Sequence, residues 1–533
     1  MTYELIPKEI IYDEEMLNRL EQGVFAVHEA VGRTMGPAGQ LVMYEEDEKI
    51  PYPIVTKDGV SVASMIAFED QAKNNGAQFV IQAARKQVIE TGDGTTLTSI
   101  LTYKIFKEGR KLISAGYQPN EIINGIKRAV EDVVKDIKNN CKSNVTLNDL
   151  RSIARVSTNN DRDLADKIAE AVHKTGKHGL VFQERSLSDE HEVEYQDGYQ
   201  LNIGILAREF ANKDTIMHLE SPYIIVTDQI IASGNTLLPI LTELCAIEKN
   251  PKIVLIAPQI SGDVLQMMKR NITDKEGGQF FMVHIKPTVD LKPEKNRMIM
   301  EDLAAATGSL FVSQSSGYQI DKLNIGQLGT CDTITSYPEK TLITGFSDEA
   351  DKRVKLLKEE LKTTEDKYKK DLIEESIAKL SGGVATIKVG GRNLTEQSET
   401  LFRVDDAVRA CKSAQEMGYV RGGGVAMLES RTRLDREDHS FGYRLVMDCL
   451  KYPTEVILKN AKREDWQSII SAILYDNKKG YDIRGKVFVD MYKLNIIDPT
   501  KVVVYAIKNA ASAAISMLQT SVMIIGKNEV EDK

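Results

Sequence analysis

The sequence has few cysteines, and their spacing excludes two classes of protein. The five lie far apart, at Cys141, Cys245, Cys331, Cys411 and Cys449. An odd number of isolated cysteines, with no CxxC pair, argues against a disulfide-stapled fold and against a cysteine-ligated zinc site. We therefore expect a protein of a reducing compartment.

The N-terminal segment lacks the pattern of a secretion signal. It reads MTYELIPKEI, with Glu4 where a signal peptide has a basic and then an apolar region. Together with the cysteine usage, this predicts a cytoplasmic location.

Clusters of charged or metal-binding residues are also missing. The formal net charge is -9, and the Lys and Arg residues are scattered along the chain. Nucleic acids and anionic membranes are bound by clustered basic residues, so we expect neither as a partner. The seven histidines are dispersed and never at metal-type spacing, which favours single structural or exposed histidines.

Long apolar runs are scarce. The longest charge-free stretch, Asn509 to Gly526, is about long enough to cross a bilayer but is interrupted by Ser, Thr and Gln residues. Its small and polar side chains favour a closely packed, buried helix.

What is present is the composition of a large globular protein. The chain has 533 residues, 42% of them hydrophobic and 28% charged, and only 14 prolines. This length exceeds what one hydrophobic core usually serves, so about three domains are expected.

The first part of the chain reads as helices separated by glycine-containing loops. Apolar residues from Leu17 to Val31 share one helical face, and Gly36-Pro37 ends that helix. A short strand, Leu41 to Tyr44, follows. One long helical stretch is predicted from Gly59 to about Thr91, and after Gly92 the next helix opens directly.

The central part alternates strand-like and helix-like runs, which is the pattern of an α/β domain. Predicted strands are Tyr223 to Thr227, Lys252 to Ala257, Gln279 to Ile285 and Ser309 to Val312, and predicted helices are Leu237 to Ile247, Gly262 to Asn271 and Lys295 to Ala306. A charged helix or helical pair, Asp348 to Leu380, closes this part. Gly198, Gly382 and Gly383 stand at its two ends and are interpreted as hinges, with ordinary turn glycines as the alternative.

Neither common nucleotide-binding fingerprint occurs in the chain, but one loop has suitable chemistry. In Gly92-Asp93-Gly94-Thr95-Thr96 the glycines allow close approach of a phosphate, and the following helix offers free N–H groups. Asp93 would repel an anion there unless a cation such as Mg²⁺ lay beside the phosphate. The alternative is a plain Gly-Asp-Gly turn before a helix.

Three further loops could join such a site. Thr34 to Gly39 reads TMGPAG, Thr56 to Gly59 places Lys57 beside Asp58, and Gly422 to Gly424 is a run of glycines. Asp58 could bind metal or orient a water, and Lys57 could neutralise phosphate charge. Surface turns and a tight helix junction are the alternatives. No GxSxG elbow and no cysteine nucleophile is indicated.

Taken in order, these motifs resemble the group I, bacterial-type chaperonins. The resemblance rests on TMGPAG, Thr56 to Val62, Gly92 to Thr96, Arg403 to Ala407, Arg421 to Ala426 and Asp498 to Lys501. It covers nearly the whole chain, and the joint order of these short motifs carries its specificity.

The resemblance implies a multidomain α/β chaperonin fold with three domains. A mainly helical equatorial domain would comprise residues 1–139 and 417–533. A small α/β intermediate domain would comprise 140–197 and 384–416, and an α/β apical domain 198–383.

The resemblance also implies an ATP and Mg²⁺ site. Asp93 would ligate the metal, Asp58 would lie near the γ-phosphate, and Asp406 would orient or activate the attacking water. Asp482 stands where the family usually has Asn. The nucleotide-binding set implied in this way is Thr34, Met35, Gly36, Pro37, Lys57, Gly92, Asp93, Gly94, Thr95, Thr96, Gly422, Gly423, Asp482, Ile496 and Asp498.

By the same resemblance, unfolded client proteins would bind an apolar apical surface. Its matched positions are Ile205, Phe210, Leu238, Leu241 and Leu265. Glu209, Lys269 and Arg270 stand where the family generally has apolar or aromatic groups, which predicts a narrower choice of client or co-chaperonin.

The implied assembly is a homo-oligomeric, seven-membered ring that folds clients in its cavity by ATP hydrolysis. Residues 286–295, 462–466 and 527–533 depart from the family pattern, so ring number and the need for a co-chaperonin lid stay open. Two rival interpretations are a Mg-ATP-dependent small-molecule kinase, which would need an acceptor pocket, and a ring scaffold without turnover.

Overall fold

A computed structural model gives the fold for most of the chain. It describes residues 8–45, 53–158, 161–176, 179–186, 188–201, 210–211, 216–273, 280–286, 293–337, 340–381, 383–391, 394–434, 438–476 and 479–526. Its helices are α1 Asp13–Gly32, α2 Gly59–Ser64, α3 Gln71–Thr91, α4 Thr95–Ser114, α5 Pro119–Asn139, α6 Leu147–Ser157, α7 Arg162–Thr175, α8 Leu238–Ile247, α9 Gly262–Thr273, α10 Pro293–Thr307, α11 Glu349–Thr363, α12 Lys367–Ser381, α13 Leu394–Met417, α14 Val425–Leu434, α15 Phe441–Cys449, α16 Tyr452–Asn460, α17 Trp466–Tyr475 and α18 Thr500–Gln519.

The strands are shorter and fall into six sheets within the described residues. They are β1 Lys8–Tyr12, β2 Val42–Tyr44, β3 Ile54–Thr56, β4 Leu180–Arg185, β5 Glu192–Leu201, β6 Met217–Glu220, β7 Tyr223–Thr227, β8 Lys252–Ile256, β9 Phe281–Ile285, β10 Phe311–Val312, β11 Gly329–Thr330, β12 Thr333–Ser336, β13 Thr341–Thr344, β14 Gly383–Val389, β15 Tyr419–Arg421, β16 Gly480–Asp482, β17 Val487–Val489, β18 Ile497–Pro499 and β19 Val522–Gly526.

The chain divides into two compact units. Unit 1 combines Met1–Glu170 with Ser398–Lys533, and unit 2 is the central segment Ala171–Gln397. The domain boundaries inferred from the sequence stay a prediction.

The largest core of unit 1 is formed by helices. The predicted face of α1 is confirmed, because Leu17, Leu20, Val24, Val27 and Val31 are all buried. Helices α3, α4, α5, α15 and α18 pack around the same core. Where α1 and α3 cross, a Cβ on Gly23 would lie 1.9 Å from the Lys73 carbonyl oxygen, so only glycine permits this approach.

Two boundaries in unit 1 differ from the sequence prediction. The single helix expected from Gly59 to Thr91 is wrong: α2 ends at Ser64, and α3 begins again at Gln71, where the Asp70 side chain accepts hydrogen bonds from two backbone N–H groups. The helix expected over Asn509 to Gly526 ends at Gln519, and the residues after it form strand β19. At the first boundary, capping by the Asp70 side chain outweighs the apolar pattern. At the second, strand pairing outweighs it.

Helix α18 passes through the middle of unit 1. It is the one described helix long and apolar enough to cross a membrane, and 67% of that stretch is buried inside the protein. Alanines at positions 506, 510, 511 and 514 are buried and let neighbouring helices approach closely. Its apolar character is thus that of a core helix.

The described residues of unit 2 form two sheets. In the first, β7, β8, β9 and β10 run parallel, with the order β10-β7-β8-β9, and β11 joins β7 antiparallel. The second has the order β4-β14-β5-β13-β12-β6. The strands and helices predicted between Tyr223 and Ala306 are confirmed within a few residues, and the charged segment after Asp348 is the helical pair α11 and α12.

The glycines interpreted as hinges do not lie in turns where the structure describes them. Gly198 is inside β5 and pairs with Thr344, and Gly383 begins β14 and pairs with Asp197. Gly382 lies outside the described residues.

Candidate functional site

The loop Gly92 to Thr96 connects two helices of unit 1 through two left-handed residues. Gly92 ends α3 with φ 76°, and Gly94 precedes α4 with φ 88°. These conformations favour glycine. The N-cap residue Gly94 has no side chain, and its N–H donates to Asp93 Oδ1 at 2.5 Å. The N–H groups that follow it and the positive end of the α4 dipole are available to an anion.

Helix α13 lies directly against this loop. A Cβ on Gly92 would fall 2.1 Å from the Cβ of Arg409, and the Ser413 hydroxyl donates to the Thr91 carbonyl at 3.0 Å. These contacts place the α13 residue Asp406 close to the loop, although more than three hundred residues separate the two in sequence. Sequence reasoning missed both Arg409 and Ser413.

Replacing Gly92 with alanine is expected to lower the stability of unit 1 markedly. The left-handed backbone conformation costs an alanine about 1–2 kcal/mol of stability. The clash of its methyl group with the packed Arg409 side chain costs roughly 1–3 kcal/mol more. Thermal unfolding would show a larger loss for Gly92→Ala than for Gly116→Ala. Gly116 is the matched control, since its φ is 95° and nothing lies within 4 Å of its added Cβ. Equal losses would show that the contact with Arg409 contributes nothing.

Asp58 begins α2 beside the same loop. Its carboxylate accepts hydrogen bonds from Val60 N at 3.3 Å, Ser61 N at 2.8 Å and Ser61 Oγ at 2.6 Å. A Cβ on the adjacent Gly59 would lie 2.6 Å from Thr96 Oγ1 and 2.8 Å from Thr95 Oγ1. The Asp58 turn and the Gly92 to Thr96 loop are therefore in direct contact.

Three carboxylates converge where α2, α4 and α13 meet. Burial raises the pKa of Asp406 from its ordinary value to about 8, and the charges of Asp93 and Asp58 add to this shift. Burial also raises the pKa of Asp93; the Gly94 N–H opposes the rise, and the charge of Asp58 reinforces it. Burial and the neighbouring acids together disfavour the charged forms of Asp93 and Asp406, and a cation bound beside them would relieve this.

The loop Thr34 to Gly39 forms another wall of this site. Thr34 Oγ1 lies 3.3 Å from Thr96 Oγ1, and Lys57 Nζ donates to the Gly36 carbonyl at 3.1 Å. Burial lowers the pKa of Lys57, and nearby Arg484 lowers it further. Lys57 thus places a cationic side chain at Gly36, where it would favour a nearby phosphate.

Asn460 of α16 holds this loop from behind. Its Nδ2 donates to the carbonyls of Gly32 and Met35, both at 2.9 Å. The sequence offered no signal for this contact.

Four more of the predicted residues lie where β15 and β18 pair: Gly422, Gly423, Ile496 and Asp498. This pairing sets Val420 opposite Asp498, and Gly422 N donates to the Ile496 carbonyl at 2.9 Å. Burial raises the pKa of Asp498 to about 6; the charge of Asp93 adds to the rise, and the Gly423 N–H opposes it. Asp498 and Gly423 therefore lie together and within electrostatic range of Asp93.

Asp482 is engaged by its own turn. Its carboxylate accepts from Arg484 N at 3.0 Å and Gly485 N at 2.9 Å. It shapes the turn between β16 and β17, and its contact to a nucleotide stays a prediction.

The residues present suit a metal that arrives with phosphate. Among the described residues, no group of three or more His, Cys, Asp and Glu side chains could hold a metal by itself. Mg²⁺ usually binds through one or two carboxylates together with phosphate oxygens and waters. A half-buried Asp93 with a raised pKa, next to an uncapped helix N-terminus, fits that mode.

The predicted client-binding residues are only partly at the surface of unit 2. Leu238 is 48% exposed and Leu265 is partly exposed. Phe210 and Leu241 are 1% and 3% exposed, so their assignment to a client surface is wrong: both belong to the hydrophobic core of unit 2. Ile205 and Glu209 lie outside the described residues, and Lys269 and Arg270 are at least partly exposed.

Comparisons with known proteins agree with this architecture. Residues 27–528 match the TCP-1/cpn60 chaperonin family. The chaperonin gp146 from the bacteriophage EL 2 (Pseudomonas aeruginosa), crystallised in the presence of ATP-BeFx, is similar in two crystal forms. The TM-scores are 0.77 and 0.71 at 20% sequence identity, and both alignments cover 97% of this chain and 99% of the phage protein. With its mixed α/β chaperonin fold and a match over nearly its whole length, the chain belongs to the TCP-1/cpn60 chaperonin family.

Proposed function

We propose that the protein is an ATP-driven chaperonin that binds unfolded proteins and folds them in a ring cavity. The observation that carries this proposal is the convergence of Asp58, Asp93 and Asp406 at the uncapped N-terminus of α4. Acids in a phosphate site have a use when a metal nucleotide is bound and hydrolysed there. They have none in a ring scaffold without turnover.

Each part of the site has a proposed role. Asp93 would hold Mg²⁺, which supplies positive charge to phosphate oxygens. The N–H groups at the start of α4 and the hydroxyls of Thr95 and Thr96 would bind phosphate, assisted by Lys57. The loop Thr34 to Pro37 would line the nucleotide site, and Gly422 to Gly423, with Ile496 and Asp498, would hold the nucleoside.

Asp406 is the proposed general base. With its pKa raised to about 8, it holds a proton more tightly than an ordinary aspartate. In its deprotonated form, a carboxylate of that basicity is a stronger base toward water than an unperturbed one. Asp58 would help to orient the same water.

Client binding is proposed for the exposed apolar side chains of unit 2. Leu238 begins α8, and Ile247 at its far end is 70% exposed. Leu238 keeps its proposed role with Leu265, and the buried Phe210 and Leu241 are withdrawn. Ile205 lies outside the described residues and stays in the proposal by family resemblance alone. Exposed aliphatic groups of this kind bind apolar segments of unfolded chains.

Assembly into a homo-oligomeric ring, of seven subunits by family resemblance, is supported by two apolar ribbons of unit 1. In the ribbon β1–β19, Ile10 pairs with Ile524 and Tyr12 with Val522, and all four side chains are exposed. In the ribbon β2–β3, Met43 pairs with Val55, and both are exposed. Two-stranded sheets with open edges and apolar faces are unstable alone in water. A second copy of the chain would cover them. Location in the cytoplasm and an optional co-chaperonin lid remain part of the proposal.

The direct test combines particle size with phosphate release. Mass photometry of the purified protein, with and without Mg-ATP, should show a particle of several subunits, and phosphate release should require Mg²⁺. A monomer without ATPase activity would contradict the proposal. Phosphate transferred to a small molecule rather than released would favour a kinase.

Replacing Ile524 with aspartate is expected to convert the ring into monomers. The substitution places a charge on a side chain that is 64% exposed in the single chain, so folding should be preserved while a buried subunit contact is lost. Analytical ultracentrifugation would measure the change. Leu356→Asp is the control, because Leu356 is 61% exposed on α11 of unit 2. Rings that survive Ile524→Asp would exclude this ribbon from the subunit contact.

A further inference from the structure

A buried glutamine lies beneath the proposed metal ligand. Gln87, on the last turns of α3, is 0% exposed. Its Nε2 lies within hydrogen-bonding distance of three acceptors, which share its two N–H groups: the backbone carbonyl of Asp93 at 2.9 Å, Thr91 Oγ1 at 2.8 Å and the Val502 carbonyl at 3.1 Å. A buried side-chain amide is placed so that it supports the loop from inside the core.

The orientation of this amide is set by a second buried amide. Asn509 of α18 donates from Nδ2 to Gln87 Oε1 at 3.0 Å and to Glu90 Oε2 at 2.9 Å. Because Gln87 Oε1 is occupied as an acceptor, its NH₂ group must face the loop. Asn509 therefore makes Gln87 a donor toward Asp93.

The loop is held from the same side by packing. A Cβ on Gly94 would lie 2.6 Å from Val502 Cγ1 and 3.0 Å from Gln87 Nε2, so the loop rests directly on these two residues. The Thr91 hydroxyl also lies 2.8 Å from the Asp93 carbonyl and can donate to it. The backbone of Asp93 is thus held from below through its carbonyl, and its carboxylate accepts from the Gly94 N–H at 2.5 Å, so the geometry of the carboxylate depends on the position of this backbone.

We propose that Gln87, oriented by Asn509, is a positioning residue that holds Asp93 in the geometry required for binding Mg²⁺ with a nucleotide. The inference rests on the proposed nucleotide function and deepens it. Gln87 touches neither metal nor nucleotide and acts through the Asp93 backbone. Its removal should therefore affect metal-dependent binding far more than metal-free binding.

The test measures ADP affinity by calorimetry, once with excess Mg²⁺ and once with excess EDTA. Gln87→Met keeps the side-chain volume but cannot donate to the Asp93 carbonyl. We expect ADP affinity in Mg²⁺ to fall roughly tenfold, the loss expected from one buried hydrogen bond. Affinity in EDTA should stay within about twofold of wild type.

A double variant separates positioning from stability. Gln87→Met alone leaves one of the two N–H groups of the Asn509 amide without its acceptor, which destabilises the fold. Adding Asn509→Leu removes that unpaired donor, so the Tm should recover toward wild type while the weak binding in Mg²⁺ persists. Ile126→Val, a buried change on α5, is the control that lowers the Tm without altering ADP binding.

The outcomes distinguish the two proposals. Unchanged ADP affinity in Mg²⁺ for the double variant, or equal losses in Mg²⁺ and EDTA, would overturn the positioning role. A wild-type protein that shows no Mg²⁺-dependent ADP binding would instead overturn the proposed function, and this inference with it.

Discussion

Asp406→Asn is expected to bind Mg-ATP normally and to release phosphate about 10²–10⁴ times more slowly than wild type, the usual contribution of a general base. Asparagine keeps the size of the side chain but cannot take a proton from water. Nucleotide binding should persist because the N–H groups of α4, Asp93 and the loop Thr34 to Pro37 are unchanged. Single-turnover phosphate release, compared with ATP affinity, measures the two effects separately.

The same substitution should stabilise the protein when metal and nucleotide are absent. Burial, with the charges of Asp93 and Asp58, raises the pKa of Asp406 from 3.8 to about 8. Between these values the unfolded chain releases a proton that the folded protein keeps, so the stability contributed by this group falls as the pH rises from about 4 to 8. Asparagine removes this loss. The free energy of unfolding of Asp406→Asn in EDTA, measured by urea titration, should exceed that of wild type most clearly at pH 8, by an amount on the order of several kcal/mol, because each unit of pKa difference corresponds to about 1.4 kcal/mol.

The matched control is Asp405→Asn on the same helix. Asp405 pairs with Arg409 at 2.8 Å on the half-exposed side of α13, and such a pair contributes little. Turnover near wild type for Asp405→Asn, with a large loss for Asp406→Asn, assigns the base to Asp406. Unchanged turnover in Asp406→Asn would remove it from the mechanism.

Asp93→Asn is expected to weaken Mg-ADP binding roughly 100-fold. Even the mutation of a residue that only supports a metal ligand lowers metal affinity about 10–100-fold. Binding of ADP without metal should instead become tighter. In EDTA the Asp93 carboxylate repels the phosphates at the start of α4, and the neutral amide does not. A substitution that moves the two affinities in opposite directions identifies a residue that binds metal beside an anion.

Asp70→Asn provides the comparison for Asp93→Asn. Asp70 also starts a helix, and its carboxylate accepts from Ala72 N at 2.9 Å and Lys73 N at 3.0 Å. It is not among the carboxylates that shift the pKa of Asp93 or Asp406, so neither affinity should change. If Asp93→Asn weakened binding equally with and without Mg²⁺, its role would be to hold the loop rather than the metal.

The local structure of the site was largely predictable. Each local feature of the loop depends on only a few neighbouring residues: the left-handed glycines, the break at Gly92 and the start of α4 at Thr95. The same is true of the buried face of α1. The break between α2 and α3 was missed because the apolar pattern continues past Ser64, while the cap at Asp70 acts over only one turn.

The support of the site was not predictable. Gln87 falls on the buried face of α3, in helical register with Ala77, Val80, Ala84 and Thr91, and a polar residue on that face was a signal that could have been read. Its partner could not have been found, because Asn509 is 422 residues away in sequence. In unit 2, Phe210 and Leu241 have the same apolar character as the exposed Leu238, so the sequence could not tell core from surface.

By itself, the sequence determined the family, the order of the motifs and the helix N-terminus that opens at the Gly92 to Thr96 loop, because turns, caps and hydrophobic periodicity act over short stretches of chain. Only the tertiary structure decided that Asp406 and Asp498 lie within electrostatic range of Asp93, and that Arg409 and Gln87 hold the loop from two sides. Electrostatic coupling and close packing depend on distance in space, and the packing of α3, α13 and α18 brings together residues that the sequence keeps hundreds of positions apart.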